Sequence, residues 1–218
     1  MFNLVDLIFL PKNTCYCCRE EKTKDYICDD CIKTLESISD FKTIEGSTCY
    51  SPYLYAGHIE RMIIEYKFRE QRYYAKVFAK LLSDFYISNG LDYDIILPIP
   101  LSQEKLIKRG FNQCDLICDF LSKRIGVPVD KEILFKVKDT KDQHLLSRAE
   151  RKDNLTSAFK GNRKEGTLNK KILIVDDIIT SGYTLQEAIK TLKKIGYKNI
   201  DALVIGKAKP ESIFKSGR

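Results

Sequence analysis

The sequence predicts an α/β fold, a parallel sheet flanked by helices, with a small cysteine-bearing module at its N-terminal end. Three observations predict it. Short β-branched runs alternate with amphipathic helical segments from about residue 48 onward, the order of a parallel sheet. The run Ile172-Leu173-Ile174-Val175 ends in Asp176-Asp177, then passes through a turn of small hydroxyl residues and one glycine into a helix. Two Cys-x-x-Cys pairs, Cys15/Cys18 and Cys28/Cys31, stand close together ahead of the first expected strand.

The 218 residues suffice for one substantial core plus a small appendage. A composition 44% hydrophobic and 31% charged is that of an ordinary globular protein. No apolar run reaches membrane-spanning length. The apolar opening 1–10 contains Asp6 and lacks a basic leader, so a short packed helix is expected there and a cytoplasmic location follows. The net charge of +7 permits phosphate or nucleic-acid partners without requiring them.

Residues 1–45 are read as the cysteine module and 46–218 as the main domain. Each CxxC turn directs two thiolates at one ion, and two such turns complete a tetrahedral zinc site. A segment this short buries little core of its own, so a structural ion is expected to hold it. Cys15, Cys18, Cys28 and Cys31 are the expected ligands. Cys17 could replace a neighbour, but Cys15 and Cys18 have the knuckle spacing. Cys49 enters a strand, while Cys114 and Cys118 lie one helical turn apart; these three read as ordinary buried thiols.

A helix is expected over 29–39, a strand over 48–56, and helices over 59–68 and 74–88. In the last of these, Ala75, Phe78, Ala79, Leu82 and Phe85 share a face. Residues 94–97 form a buried strand halted by Pro98 and Pro100. A helix over 113–125 turns Leu116, Ile117, Phe120, Leu121 and Ile125 inward, and 133–137 is a strand. The polar, basic stretch 138–154 reads as a mobile segment. The final unit is strand 172–176, helix 184–195 with Leu185, Ala188, Ile189, Leu192 and Ile195 inward, and strand 200–205. Ligands of such a sheet gather at the C-terminal strand ends.

The chemistry concentrates in 172–184. Backbone N–H groups of residues 180–184 lack partners in a first helical turn, and the helix dipole adds positive potential. Small side chains let a phosphate approach, and the hydroxyls of Thr180, Ser181 and Thr184 add donors. Asp176 and Asp177 would repel an adjacent phosphate but suit ribose hydroxyls one sugar away. The segment therefore reads as a ribose 5-phosphate site. A Walker B strand is excluded, because no G-x-x-x-x-G-K-[ST] loop occurs anywhere in the chain. Leu97-Pro98-Ile99-Pro100-Leu101 ends another strand at ligand level. Lys108-Arg109-Gly110-Phe111-Asn112-Gln113 follows, with Arg109 able to make a charge-assisted contact.

The run ILIVDDIITSGYT resembles the phosphoribosyl-pyrophosphate (PRPP) signature of type I phosphoribosyltransferases. That resemblance implies their fold, with the ribose hydroxyls on Asp176 and Asp177 and the 5-phosphate on Thr180, Ser181, Gly182, Tyr183 and Thr184. It assigns the pyrophosphate to the loop of Pro98, Ile99 and Pro100. The cysteine module, LPIP, Tyr66-Lys67-Phe68, RGFNQ and the stretch from Gln143 to Phe159 extend the likeness. Together these resemble the ComF family of ComFC and GntX-like competence proteins over nearly the whole chain. The family resemblance implies PRPP with Mg2+, single-stranded DNA as a partner, and a role in DNA uptake during natural transformation. It also implies a ComFA-like helicase partner at the inner face of the membrane.

If the site turns over, the reaction displaces pyrophosphate from C1 of PRPP through an oxocarbenium-like transition state. Mg2+ suits the leaving group's hard oxygens. Asp176 or Asp177 holds the sugar, and Arg109 with Arg148 or Arg151 of the mobile segment closes over the developing charge. Met1 is followed by Phe2, so the N-terminal cysteine of glutamine-using amidotransferases is not expected. Tyr73, Tyr74 and Phe111 offer stacking surfaces for bases. Two other functions stand beside DNA uptake: a working phosphoribosyltransferase in nucleotide metabolism or modification, and a PRPP sensor that recruits partners through its zinc module.

Overall fold

The structure, a computed structural model, describes residues 13–137 and 158–209. The opening 1–10 and the segment 138–154, with Arg148 and Arg151, lie outside the described residues. Helix α1 (Asp29–Lys33) follows the second CxxC pair and stops six residues short of expectation, because the chain then extends as strand β1 (Ser37–Ile44) and returns as β2 (Ser47–Leu54). Ser, Ile and Thr in β1 are weak helix formers. Glu45 and Gly46, at φ 51° and 74°, form a two-residue turn whose twist matches that of the paired strands.

The elements that follow are α2 (Gly57–Phe68), α3 (Tyr74–Ser88), β3 (Ile95–Pro98), α4 (Gln103–Arg109), α5 (Gln113–Ile125), β4 (Leu134–Lys136) and β5 (Phe159–Gly161), then β6 (Ile172–Ile179), α6 (Tyr183–Lys194) and β7 (Ile200–Lys207). The main sheet has the order β1-β2-β7-β6-β3. Its last four strands are parallel, and β1 adds antiparallel at the edge. Parallel strands are apolar on both faces because helices cover both. Leu173, Val175, Leu203 and Ile205 pack with the buried stripes of α2, α3 and α5. Ile172, Ile174, Ala202 and Val204 pack with Leu185, Ile189 and Leu192 of α6 and with Leu134 and Phe159.

The cysteine turns dock onto the first of these faces. Cys15, Cys17, Ile27 and Leu35 belong to the same core as α2, α3 and α5. Arg124 of α5 donates to both carboxylate oxygens of Asp25, at 2.8 and 2.7 Å. Arg61 of α2 donates to the carbonyl of Cys17 at 2.8 Å. Buried Glu65 accepts from Arg19 at 3.1 Å and from the Tyr74 hydroxyl at 2.6 Å. No helix among the described residues is long and apolar enough to cross a membrane. The parallel arrangement brings Leu54, Pro98, Ile179 and Lys207 to one rim of the sheet, and the candidate site lies there.

Candidate functional site

Strand β6 continues past the acids, where Ile178 and Ile179 pair with Gly206 and Lys207 of β7. The strand therefore runs three residues beyond the expected 172–176, and both Asp176 and Asp177 lie within the ladder. Adjacent strand positions face opposite sides of a sheet. Asp177 is buried and meets Lys67 of α2 at 2.7 Å. Asp176 Oδ1 accepts the N–H of Asp177 at 2.8 Å and lies 3.5 Å from Cys114 Sγ at the start of α5. Burial, then the neighbouring charge of Asp177, pushes the Asp176 carboxyl up to about 7 against the pull of Lys67. Burial, then the charge of Asp176, holds the Cys114 thiol well above its ordinary range. Cys114 is a buried thiol, as the sequence suggested.

Beyond β6, Thr180 and Ser181 lead into Gly182, whose left-handed φ of 87° caps α6. A Cβ at this position would stand 3.3 Å from Ile44 Cδ1, a tight contact, and the left-handed conformation itself selects glycine. Tyr183 opens the helix, one residue earlier than expected, and Thr184 lies in its first turn. Ser181 Oγ is buried without a hydrogen-bond partner among the described residues. An orphaned hydroxyl beside a helix N-terminus is a fitting cradle for an anion. Lys42 of β1 donates to the Ser181 carbonyl at 3.1 Å and adds a cation beside the loop. The sequence reading missed Lys42 because it missed β1.

The loop of Pro98, Ile99 and Pro100 is held at the level of the acids. Pro98 is in register with Val175, whose carbonyl accepts the Ile99 N–H at 2.9 Å. Asn112 Nδ2 donates to the Ile99 carbonyl at 3.1 Å, and its Oδ1 accepts the Cys114 N–H, capping α5. Gly110, at φ 71°, ends α4. Phe111 packs on Tyr66 at 5.5 Å under the Arg72 guanidinium at 4.6 Å. RGFNQ is therefore a joint between two helices and the strand-end loop.

Arg109, in a stretch for which the sequence predicts no helix, is the last residue of α4. Its guanidinium stands 5.6 Å from the Phe68 ring. With Lys67, Phe68, Glu70, Lys105 and Lys108 it lines a cleft of about 140 Å³. A larger cavity, about 540 Å³, opens at the opposite rim beside Asp92, Tyr93, Lys171 and Asp201. Its polar groups satisfy one another: Tyr93 donates to Asp201 at 2.8 Å, and Lys171 to Asp92 at 2.8 Å. The smaller cleft is the one that adjoins the acids. Of the expected stacking aromatics, Tyr74 is fully buried, and Phe111 and Tyr73 are engaged by Tyr66 and Tyr16. Tyr74 thus belongs to the interior, while Tyr73 and Phe111 are half-buried against their partners.

The four thiols expected to hold a metal come together. The sulfurs of Cys15, Cys18, Cys28 and Cys31 all lie within 4.8 Å of one another. Thiolates on a tetrahedral ion with bonds of about 2.3 Å stand about 3.8 Å apart. The Cys15 and Cys31 sulfurs are 3.8 Å apart. Burial opposes ionisation of Cys15, but backbone N–H groups led by that of Cys28 outweigh it and bring the thiol down to about 7. Cys17 is turned towards Arg61, 3.5 Å from its sulfur, and is not one of the four. The donor set fits zinc.

Residues 116–216 match the phosphoribosyl transferase domain family. Competence protein F of Haemophilus influenzae is 32% identical over 160 residues, covering 71% of this chain and 70% of that protein. The chain belongs to the ComF family. This ComF chain is also 33% identical over 147 residues to DNA utilization protein YhgH of Escherichia coli, covering 65% of the chain and 64% of that protein. Identity with competence protein ComFC of Bacillus subtilis is 28% over 189 residues, 84% of the chain and 72% of that protein. The ComF chain thus has a phosphoribosyl transferase fold preceded by a four-cysteine cluster able to hold a metal.

Proposed function

We propose that this protein binds PRPP with Mg2+ at the C-terminal rim of its sheet and handles single-stranded DNA during DNA uptake. The observation that carries the PRPP reading is the sequence of groups along one strand end. Two acids are followed by a glycine-capped helix N-terminus with an orphaned, buried serine hydroxyl. Acids are poor neighbours for a phosphate, and N–H donors are poor partners for each other. Spaced by one sugar, the two groups match the two ends of a ribose 5-phosphate.

Each residue then has a task. The N–H groups and hydroxyls of 180–184 hold the 5-phosphate, with Lys42 adding charge. Asp176 and Asp177 accept from the ribose hydroxyls and favour positive charge at C1. The backbone around Pro98, Ile99 and Pro100 faces the diphosphate, with Arg109 of α4 as its candidate cation. Mg2+, suited to the carboxylates and to the diphosphate, supplies charge neutralisation of the leaving group. Zinc in the four-cysteine cluster has a structural task only.

The DNA part rests on the relatives, which are named for competence and DNA utilization. Titration calorimetry of PRPP with Mg2+, with and without a single-stranded oligonucleotide, tests both parts. Mg2+-dependent binding shifted by the oligonucleotide is expected. Failure of PRPP to bind would overturn the sugar-phosphate reading.

A further inference from the structure

The cleft between the end of α2 and the inner face of α4 is built unlike a solvated surface. Lys105, Lys108 and Arg109 stand at helical spacings of three and four, so one face of α4 turns three cations towards α2. Lys67, already paired with Asp177, supplies a fourth, and Glu70 is the one acid in the lining. Like charges gathered around a concave space repel one another and favour an anion between them. The wall also carries Phe68, which is 62% exposed although its neighbours Met62, Ile63 and Tyr66 are buried. An aromatic ring left in water beside a cluster of cations, with the Arg109 guanidinium held over it at 5.6 Å, is a stacking platform.

Lys67 gives the cleft its position. It lines the cleft and also holds Asp177 at 2.7 Å, so an anion there lies one side chain from the acid pair. The volume of about 140 Å³ admits a phosphate but not a whole nucleotide, whose base would lie outside on Phe68.

We propose that this cleft is a second nucleotide site, taking a phosphate group among Lys67, Lys105, Lys108 and Arg109 with its base stacked on Phe68. The site is separate from the sugar-phosphate loop after β6, though it shares Arg109 with the diphosphate end of the PRPP reading. Its meaning as the place of a second, nucleotide ligand rests on the PRPP reading, but its occupancy does not. A free nucleotide and a nucleotide within a strand present the same chemistry.

The test titrates the full chain with deoxyadenosine 5′-monophosphate, inorganic pyrophosphate and a single-stranded hexamer of deoxyadenylate, each with and without PRPP and Mg2+. The monophosphate should bind. Phe68→Ala should weaken it about tenfold, within the range of one base stacked on one ring, while leaving pyrophosphate within about twofold. Lys108→Ala with Arg109→Ala should weaken every phosphate ligand and flatten the salt dependence. Phe68 and Lys108 are exposed, so these variants should keep their fold. Competition between hexamer and monophosphate would assign the site to a strand, and its absence to a free nucleotide; both support the cleft. Pyrophosphate binding without monophosphate binding would overturn the proposal, as would monophosphate binding indifferent to both variants. Monophosphate binding in a chain that ignores PRPP would leave the cleft standing and remove the PRPP reading alone.

Discussion

Lys67 and Asp177 meet at 2.7 Å, both largely shielded from water, and fasten the last turn of α2 to the acid-bearing strand β6. The ammonium also sits at a helix C-terminus, where a positive charge is favoured. Asp176 is the next residue along, so without Lys67 the two neighbouring carboxylates would lose the cation that pulls on both. The pair thus holds the ligand-free site in a bearable electrostatic state.

Removing one partner of such a pair leaves the other charge stranded. Lys67→Met should cost about 3 kcal/mol at pH 8, and adding Asp177→Asn should recover part of it. Urea unfolding of the two single variants and the double variant gives the coupling. Additive losses would mean that solvent screens the pair and that Lys67 does not hold the site together.

Asp176 makes stability depend on pH in a stated direction. Its carboxyl is raised from the ordinary carboxylate range to about 7, so the folded chain keeps a proton that the unfolded chain has lost between about pH 4 and 7. Stability from this group is therefore fully present below about pH 4, falls as pH rises to about 7, and is flat above. Asp176→Asn copies the protonated form and should stabilise at pH 8, by at most about 4 kcal/mol, with the gain shrinking towards zero near pH 4. Thermal unfolding of both proteins across that range checks it. A gain independent of pH would point to a packing change instead of the charge. The same substitution together with Asp177→Asn should weaken PRPP binding without loss of fold.

What was legible in the sequence had its chemistry close together in the chain. The acids, the turn and the helix start all fall within 172–184, and the four thiols announce themselves by spacing. Lys42 was not legible as a site residue, and Lys67 was marked only within the Tyr66-Lys67-Phe68 likeness and given no role, since their positions arise from β1 joining the sheet edge and α2 crossing β6. The hint for β1 was the pair Glu45-Gly46, a turn suited to positive φ. Helix α4 leaves no periodic signal because none of its residues is buried, so the sequence predicts no helix around Arg109. Tyr74 was read as a stacking surface because composition alone does not separate a platform from a core ring.

Metal removal should reach beyond the four thiols. Cys15, Cys28 and Cys31 share a core with α2, α3 and α5, so loss of the ion should loosen the face against which those helices pack. A strong chelator is expected to release one zinc per chain and lower the melting temperature by roughly 10 °C or more, given a loss of several kcal/mol. Cys28→Ser should do the same without chelator. Colorimetric zinc release alongside scanning calorimetry is the measurement. A metal-free protein with an unchanged transition would make the cluster a set of packed thiols.

Gly182 and Lys42 separate the shape of the phosphate loop from its charge. Gly182→Ala forces a side chain into φ 87° and against Ile44, which should cost about 1–2 kcal/mol and distort the N–H groups that open α6. Ribose 5-phosphate binding should be lost with the loop geometry. Lys42 is exposed and donates to a carbonyl of the loop, so Lys42→Ala should leave stability within about 0.5 kcal/mol. It should still weaken ribose 5-phosphate about tenfold, the size of one charge-assisted hydrogen bond, and more at low salt than at high. Calorimetric titration of both variants at two ionic strengths decides the matter. If Lys42→Ala binds as the parent does, the lysine serves the strand edge and the phosphate is held by the helix terminus and hydroxyls alone. If Gly182→Ala binds normally despite its lower stability, the 5-phosphate does not sit on this loop.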